Sequence, residues 1–205
     1  MLYFFLKYTL TPLAKTFWLK EIKGSENLPE EGPYLLAVNH QSSLDSLIVS
    51  SAIPVGLYYL ACEKFYRLAF FHYFMDKMEQ IYVDRRAKDK ASVYAETSYH
   101  LGNGRVVVIF PEGGRTHTGH IEKAFLGVAR LALQNKVNIV PAAITGTFEL
   151  HPPGSTWPKI GRTVKFEILP VIKYEEIKHL SEEEITHGIV MPRIASAIGE
   201  EYIYA

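Results

Sequence analysis

Short apolar runs alternate with amphipathic stretches along most of the chain. The runs YLLAV (34–38), GLYYLA (56–61), QIYV (80–83), RVVVIF (105–110), NIVPAAI (138–144) and TVKFEIL (163–169) are rich in β-branched and aromatic residues and predict strands. Patterns of helical period fill the intervals at about 43–53, 64–77, 87–101 and 123–135. A further helical stretch runs from Ser181 to about Glu201, opened by the capping-box pair Ser181 and Glu184. Strands alternating with helices predict a single α/β domain, its largely parallel or mixed central sheet flanked by helices. No internal repeat or charged linker divides it, and HPPGSTWPKIG (151–161) reads as a long surface loop.

The first twenty residues stand apart from this alternation. They are apolar and aromatic but are broken by Lys7, Pro12, Lys15 and Lys20, so no run reaches the ~18 to 20 residues that span a bilayer. No basic n-region or small-residue cleavage site marks a secretory signal. Phe4, Phe5, Phe17 and Trp18 between lysines suit a segment lying in the headgroup layer, and suit equally a first helix packed on the core. We divide the chain into an amphipathic segment, residues 1–20, and a domain of residues 21–205.

Composition narrows the function classes. A chain of 205 residues with 48% hydrophobic positions buries a sizeable core. Lys+Arg and Asp+Glu are both 22, so no global basic field points to nucleic acid, and an anionic ligand has to be held locally. The single cysteine, Cys62, excludes an internal disulfide framework and a multi-cysteine zinc site.

In sheets of this kind ligands bind outside the carboxyl ends of strands. Two polar clusters fall there: Asn39 to Asp45 after YLLAV, and Pro111 to Thr116 after RVVVIF. Five helical residues turn through about 140°, so His40 and Asp45 share no helix face. With Ser42 or Ser43 as N-cap, His40 lies on the strand-exit loop and Asp45 in the first helical turn, from which its carboxylate reaches back. Such a carboxylate fixes the imidazole tautomer and leaves the other ring nitrogen as a base for a hydroxyl or water. An acid facing the positive end of the helix dipole is the plainer reading of Asp45.

The glycines of PEGGRT free backbone N–H groups to face an anion, and Arg115 adds a planar fork suited to phosphate, although a tight turn with a solvated arginine has the same sequence. Arg85, in DRR after QIYV, offers further positive charge or is simply a charged strand end. His117, His120 and Glu122 crowd one loop without a distant partner set, a weak pattern for a metal, and none is expected. The aromatic stretch FYRLAFFHYFM (65–75) reads as core, an acyl groove or a bilayer contact.

Together NHQSSLD (39–45), Arg85 in QIYVDR, FPEGGRT (110–116) and VNIVPAAI (137–144) resemble, in order and spacing, the four blocks of the glycerolipid acyltransferase family typified by lysophosphatidic acid acyltransferases. The resemblance covers roughly residues 20 to 170. It implies transfer of a fatty acyl group from acyl-CoA or acyl carrier protein to the sn-2 hydroxyl of 1-acyl-glycerol 3-phosphate. Phosphatidic acid is then the product, within phospholipid biosynthesis. By the same resemblance His40 is the general base, Asp45 orients it, and Arg115 with Arg85 contacts the acceptor phosphate. Glu112 and Gly113 help bind the acceptor and shape the site, and Pro141 serves packing or acyl binding. No cofactor is implied; the thioester is a co-substrate.

The implied partners are a lysophospholipid, the acyl donor and a membrane surface, which moves residues 1–20 towards the interface at the cytoplasmic face. The chain departs from many relatives at AFLG (124–127), where they carry Phe-Lys-x-Gly, and at Gly114, and it is shorter than many. Another acceptor, such as glycerol 3-phosphate, another lysophospholipid or a lyso-aminolipid, is the rival within the chemistry. A non-catalytic lipid-binding module and an acyl-thioester hydrolase are the rivals outside it.

Overall fold

The central strands are apolar at every position because both faces of the sheet are covered. In this computed structural model, which describes residues 2–62, 80–84 and 90–204, all five residues of β2 (Tyr34–Val38) and all four of β5 (Val106–Ile109) are buried. With β1 (Leu19–Lys23), β3 (Leu57–Cys62), β4 (Ile81–Val83), β6 (Asn138–Thr145) and β7 (Val164–Ile168) they form one sheet of order β1-β7-β6-β2-β5-β3-β4. The five strands from β6 to β4 are mutually parallel, whereas β7 runs antiparallel to β6 and carries β1 parallel to itself.

Period-two alternation sorts the core into two layers. Val107 and Ile109 point into a cluster with helices α3 (Ala91–Gly102) and α4 (Gly127–Asn135) and the C-terminal helical residues Ile185, Val190, Met191 and Ile194. Val106 and Val108 point the other way, towards Ala14 of α1 (Leu2–Phe17) and Ile48 and Val49 of α2 (Asp45–Ala52). The predicted mixed α/β domain is therefore observed. The carboxyl ends of β2, β5 and β6 meet at one edge, which is where the two polar clusters stand.

Three differences from the sequence reading have physical causes. Strand β1 was not foreseen: of LKEIK only Leu19 is buried, so this edge strand shows little apolar signal, and it starts inside the segment assigned to residues 1–20. Neither Ser42 nor Ser43 is the N-cap of α2. Leu44 occupies that position, and the Asp45 carboxylate instead accepts the preceding amides. The C-terminal helical run opens as expected, with Ser181 N donating to Glu184 Oε2 at 2.8 Å and Glu184 N to Ser181 Oγ at 3.2 Å, but residues Glu184–Val190 take a π-helical turn. The helix expected at 64–77, the aromatic stretch 65–75 and Arg85 lie outside the described residues. Among the described residues no helix is long and apolar enough to cross a membrane.

Candidate active site

The turn leaving β2 is built from buried polar groups, hydrogen-bonded to one another and to neighbouring backbone, with Asp45 Oδ1 left without a partner among the described residues. Asn39 spans the gap to β6: its Nδ2 donates to Ile144 O at 2.9 Å and its Oδ1 accepts Ile144 N at 2.8 Å. Asp45 is fully buried, and its Oδ2 accepts Gln41 N at 2.7 Å, Ser42 N at 2.8 Å and a hydrogen bond from His40 Nδ1 at 2.8 Å. Three donors converge on that oxygen, an arrangement that assigns the imidazole proton to Nδ1. Its Nε2 is then a free acceptor with no partner among the described residues.

The His40 ring is further fixed by Phe110, which stacks on it with centroids 4.0 Å apart and planes 15° from parallel. Only 15% of the His40 side chain is exposed, so the ring is mostly enclosed by its neighbours. An imidazole held in this way has the chemistry of a general base, able to take a proton from a hydroxyl and return it to a leaving group.

The loop leaving β5 is fastened to that turn at two points. Glu112 accepts His40 N at 2.8 Å through Oε1 and Glu122 N at 3.0 Å through Oε2, and Thr116 N donates to His40 O at 2.9 Å. Burial pushes the Glu112 carboxyl up to about 7 despite these two amide bonds, which favour the charged form. Gly113 has φ of 68°, and a Cβ there would come within 2.7 Å of the Phe125 ring, so glycine is demanded by both backbone and space. Arg115, between the fastened residues, is exposed and makes no hydrogen bond or ion pair among the described residues.

The structure thus brings His40, Asp45, Glu112, Gly113 and Arg115 to one edge. Pro141 is buried within β6 opposite Ala37, a packing position. His120 pairs with Glu200 at 3.1 Å, and His117 N donates to Glu122 at 3.0 Å. Sequence reasoning missed Asn39 as the clamp to β6, Phe110 as the ring under His40, and the C-terminal residues that hold the far side of the loop. Glu200 accepts Ile121 N at 2.9 Å and the Tyr202 hydroxyl accepts Ala124 N at 3.0 Å. The first two adjoin recognised blocks; nothing local in the sequence announces the third.

The model of the family described as Acyltransferase matches residues 20–145, which contain the β2 turn, the β5 loop and most of the parallel sheet. The chain belongs to the Acyltransferase family. Among acyltransferase relatives, it is 26% identical over 176 residues to the 1-acyl-sn-glycerol-3-phosphate acyltransferase of Borreliella burgdorferi, covering 83% of this chain and 70% of that one. It is 32% identical over 127 residues to the human 1-acyl-sn-glycerol-3-phosphate acyltransferase alpha, covering 61% and 45%. The chain spans about half the length of the animal and yeast relatives it matches. The crystal structure of the 1-acyl-sn-glycerophosphate acyltransferase PlsC from Thermotoga maritima shares the fold with a TM-score of 0.79 at 20% identity, over 95% of this chain and 79% of that one.

Proposed function

We propose that this chain transfers a fatty acyl group from an acyl thioester, on coenzyme A or acyl carrier protein, to the sn-2 hydroxyl of 1-acyl-glycerol 3-phosphate, forming phosphatidic acid. The observation that carries the reading is the His40 and Asp45 pair, 2.8 Å apart, whose remaining ring nitrogen has no partner among the described residues and stands beside the Arg115 loop. His40 Nε2 accepts the proton of the acceptor hydroxyl as its oxygen attacks the thioester carbonyl. Asp45 steadies the imidazolium that forms. When the tetrahedral intermediate collapses, the carbon–sulfur bond breaks and the thiol departs with the proton from His40. A general base contributes about 10²–10⁴-fold, enough for an activated thioester.

Arg115, with Arg85, holds the acceptor phosphate through charge-assisted hydrogen bonds. Glu112 and Gly113 shape the loop that presents Arg115, a role supported by the two amide bonds to Glu112 and the left-handed backbone at Gly113. Because the acceptor is a lipid, the enzyme works at a membrane surface on the cytoplasmic face. Similarity to 1-acyl-sn-glycerol-3-phosphate acyltransferases supports this acceptor.

The test is acyl transfer by purified protein in mixed micelles, with acyl-CoA and acyl carrier protein thioesters offered separately against lysophosphatidic acid. Phosphatidic acid formed by the wild type and abolished in His40→Ala is the expected result. No product with either donor sinks the acceptor assignment.

A further inference from the structure

Loop 151–161 carries two of the most exposed large apolar side chains among the described residues, Trp157 at 82% and Ile160 at 77%. Its backbone is nonetheless tied down at both ends. At the site end, Ser42 Oγ donates to His151 O at 2.7 Å and Ser43 Oγ pairs with His151 Nδ1 at 2.9 Å, so the loop starts against the turn that holds His40. At the other end Lys159 N donates to Leu150 O at 2.9 Å, Trp18 Nε1 donates to Lys159 O at 2.8 Å, and Gly161 N donates to Phe17 O at 3.2 Å. Arg162 Nε adds a bond to Leu19 O at 3.3 Å. The loop therefore bridges the active-site turn to the end of α1, where Leu10, Leu13 and Phe17 are 40%, 50% and 39% exposed.

Charge is partitioned in the same way. Segments 10–20 and 152–165 contain Lys15, Lys20, Lys159, Arg162 and Lys165, all exposed, and no Asp or Glu, in a chain whose cations and carboxylates balance. An acidic protein would satisfy the cations, but Trp157 and Ile160 protrude from a loop rather than line a groove. Protruding apolar tips need a complementary pocket in a protein partner and none in a bilayer, whose acyl boundary receives them while its headgroups meet the lysines.

We propose that loop 151–161 is a membrane anchor in which Trp157 and Ile160 insert into an anionic leaflet beside the exposed apolar face of α1, seating the mouth of the His40 site on the bilayer that carries its acceptor. The proposal rests on the acyltransferase reading above and deepens it by naming the surface that delivers the lipid.

The test compares the wild-type chain with Trp157→Ser and with the double variant Trp157→Ser, Ile160→Ser, on vesicles of phosphatidylglycerol and phosphatidylcholine. Cosedimentation and tryptophan emission are read, with acyl transfer measured on vesicle-borne and on short-chain, monodisperse lysophosphatidic acid. The double variant is expected to partition about tenfold or more weakly. Its transfer on vesicles falls in parallel while transfer to the short-chain acceptor stays at the wild-type rate, and the vesicle-induced blue shift is lost in Trp157→Ser. Equal partitioning of wild type and double variant overturns the proposal. So does a raised KM for the acyl carrier protein thioester with vesicle binding intact, which assigns the face to an acidic carrier. A wild type inactive on both acceptors, with partitioning still dependent on Trp157, fails the catalytic reading and leaves the anchor standing.

Discussion

The turn after β2 and the loop after β5 face each other across the active edge, yet they are constructed in opposite ways. In the turn Asn39, Gln41, Ser42 and Asp45 are all at most 8% exposed, and every one is hydrogen-bonded. In the loop Pro111, Glu112 and Thr116 are buried, and Gly113, Arg115 and His117 face solvent between or beyond them. The difference matches the roles we propose for the two regions. Proton transfer depends on placing a nitrogen within a fraction of an ångström of a reacting oxygen, which requires a locked scaffold. Binding a phosphate requires charge and reach, and an arginine gains by staying adaptable until the ligand arrives.

Removing the locked base is the harshest way to break this asymmetry. His40→Ala should lower kcat by about 10²–10⁴-fold while leaving the acceptor KM little changed. Steady-state kinetics in mixed micelles would show it, and a variant with a near wild-type kcat would take His40 out of the chemistry. Asp45→Asn should cost about 10²-fold in kcat, because a neutral amide oxygen orients His40 Nδ1 less strongly and cannot stabilise the imidazolium. It should also lower stability by about 1–3 kcal/mol through a buried amide NH2 left unpaired where Oδ1 stands without a partner, visible as a reduced thermal midpoint.

On the adaptable side the pattern should invert. Arg115→Ala should raise the acceptor KM about 10–100-fold, the worth of one or two charge-assisted hydrogen bonds, with a smaller effect on kcat. Because Arg115 is exposed and unpartnered among the described residues, its thermal midpoint should match the wild type. A large loss of stability instead of affinity would place Arg115 in the scaffold and erase the contrast.

How much of this was legible follows from where the signal resides. Strands β2, β5 and β6 are buried on both faces, so their sequences are continuous apolar runs that no other element produces. Edge strand β1 has one buried residue and two lysines, so it merged with the segment before it. At the site, His40 and Asp45 are five residues apart and their pairing could be argued from local geometry. The bonds from Glu112 to His40 and from Tyr202 to Ala124 cross 72 and 78 residues, and no local pattern encodes a contact of that range. Nor did the alternation of apolar runs show that loop 151–161 is anchored at both ends, since its partners are the Phe17 carbonyl, the Trp18 indole and a serine pair after β2.

Glu112 joins the two regions and offers the finest test of their coupling. Burial raises its carboxyl to about 7, so the native protein binds a proton there that the unfolded chain, with an ordinary carboxylate, has already lost. Between the ordinary carboxylate range and about pH 7 the native state thus holds more protons, and stability contributed by the neutral acid is lost as pH rises through that window. The linked change is on the order of 3 kcal/mol. Glu112→Gln removes the titration. It also leaves one carbonyl for two amide donors, His40 N and Glu122 N, which costs about 1–3 kcal/mol at every pH. Relative to the wild type, the variant should therefore gain about 2 kcal/mol of stability between pH 5.5 and pH 8.5, read from the difference in thermal midpoint. Parallel curves across that range would mean that the carboxyl titrates normally, and that the link between the locked turn and the adaptable loop carries no charge penalty.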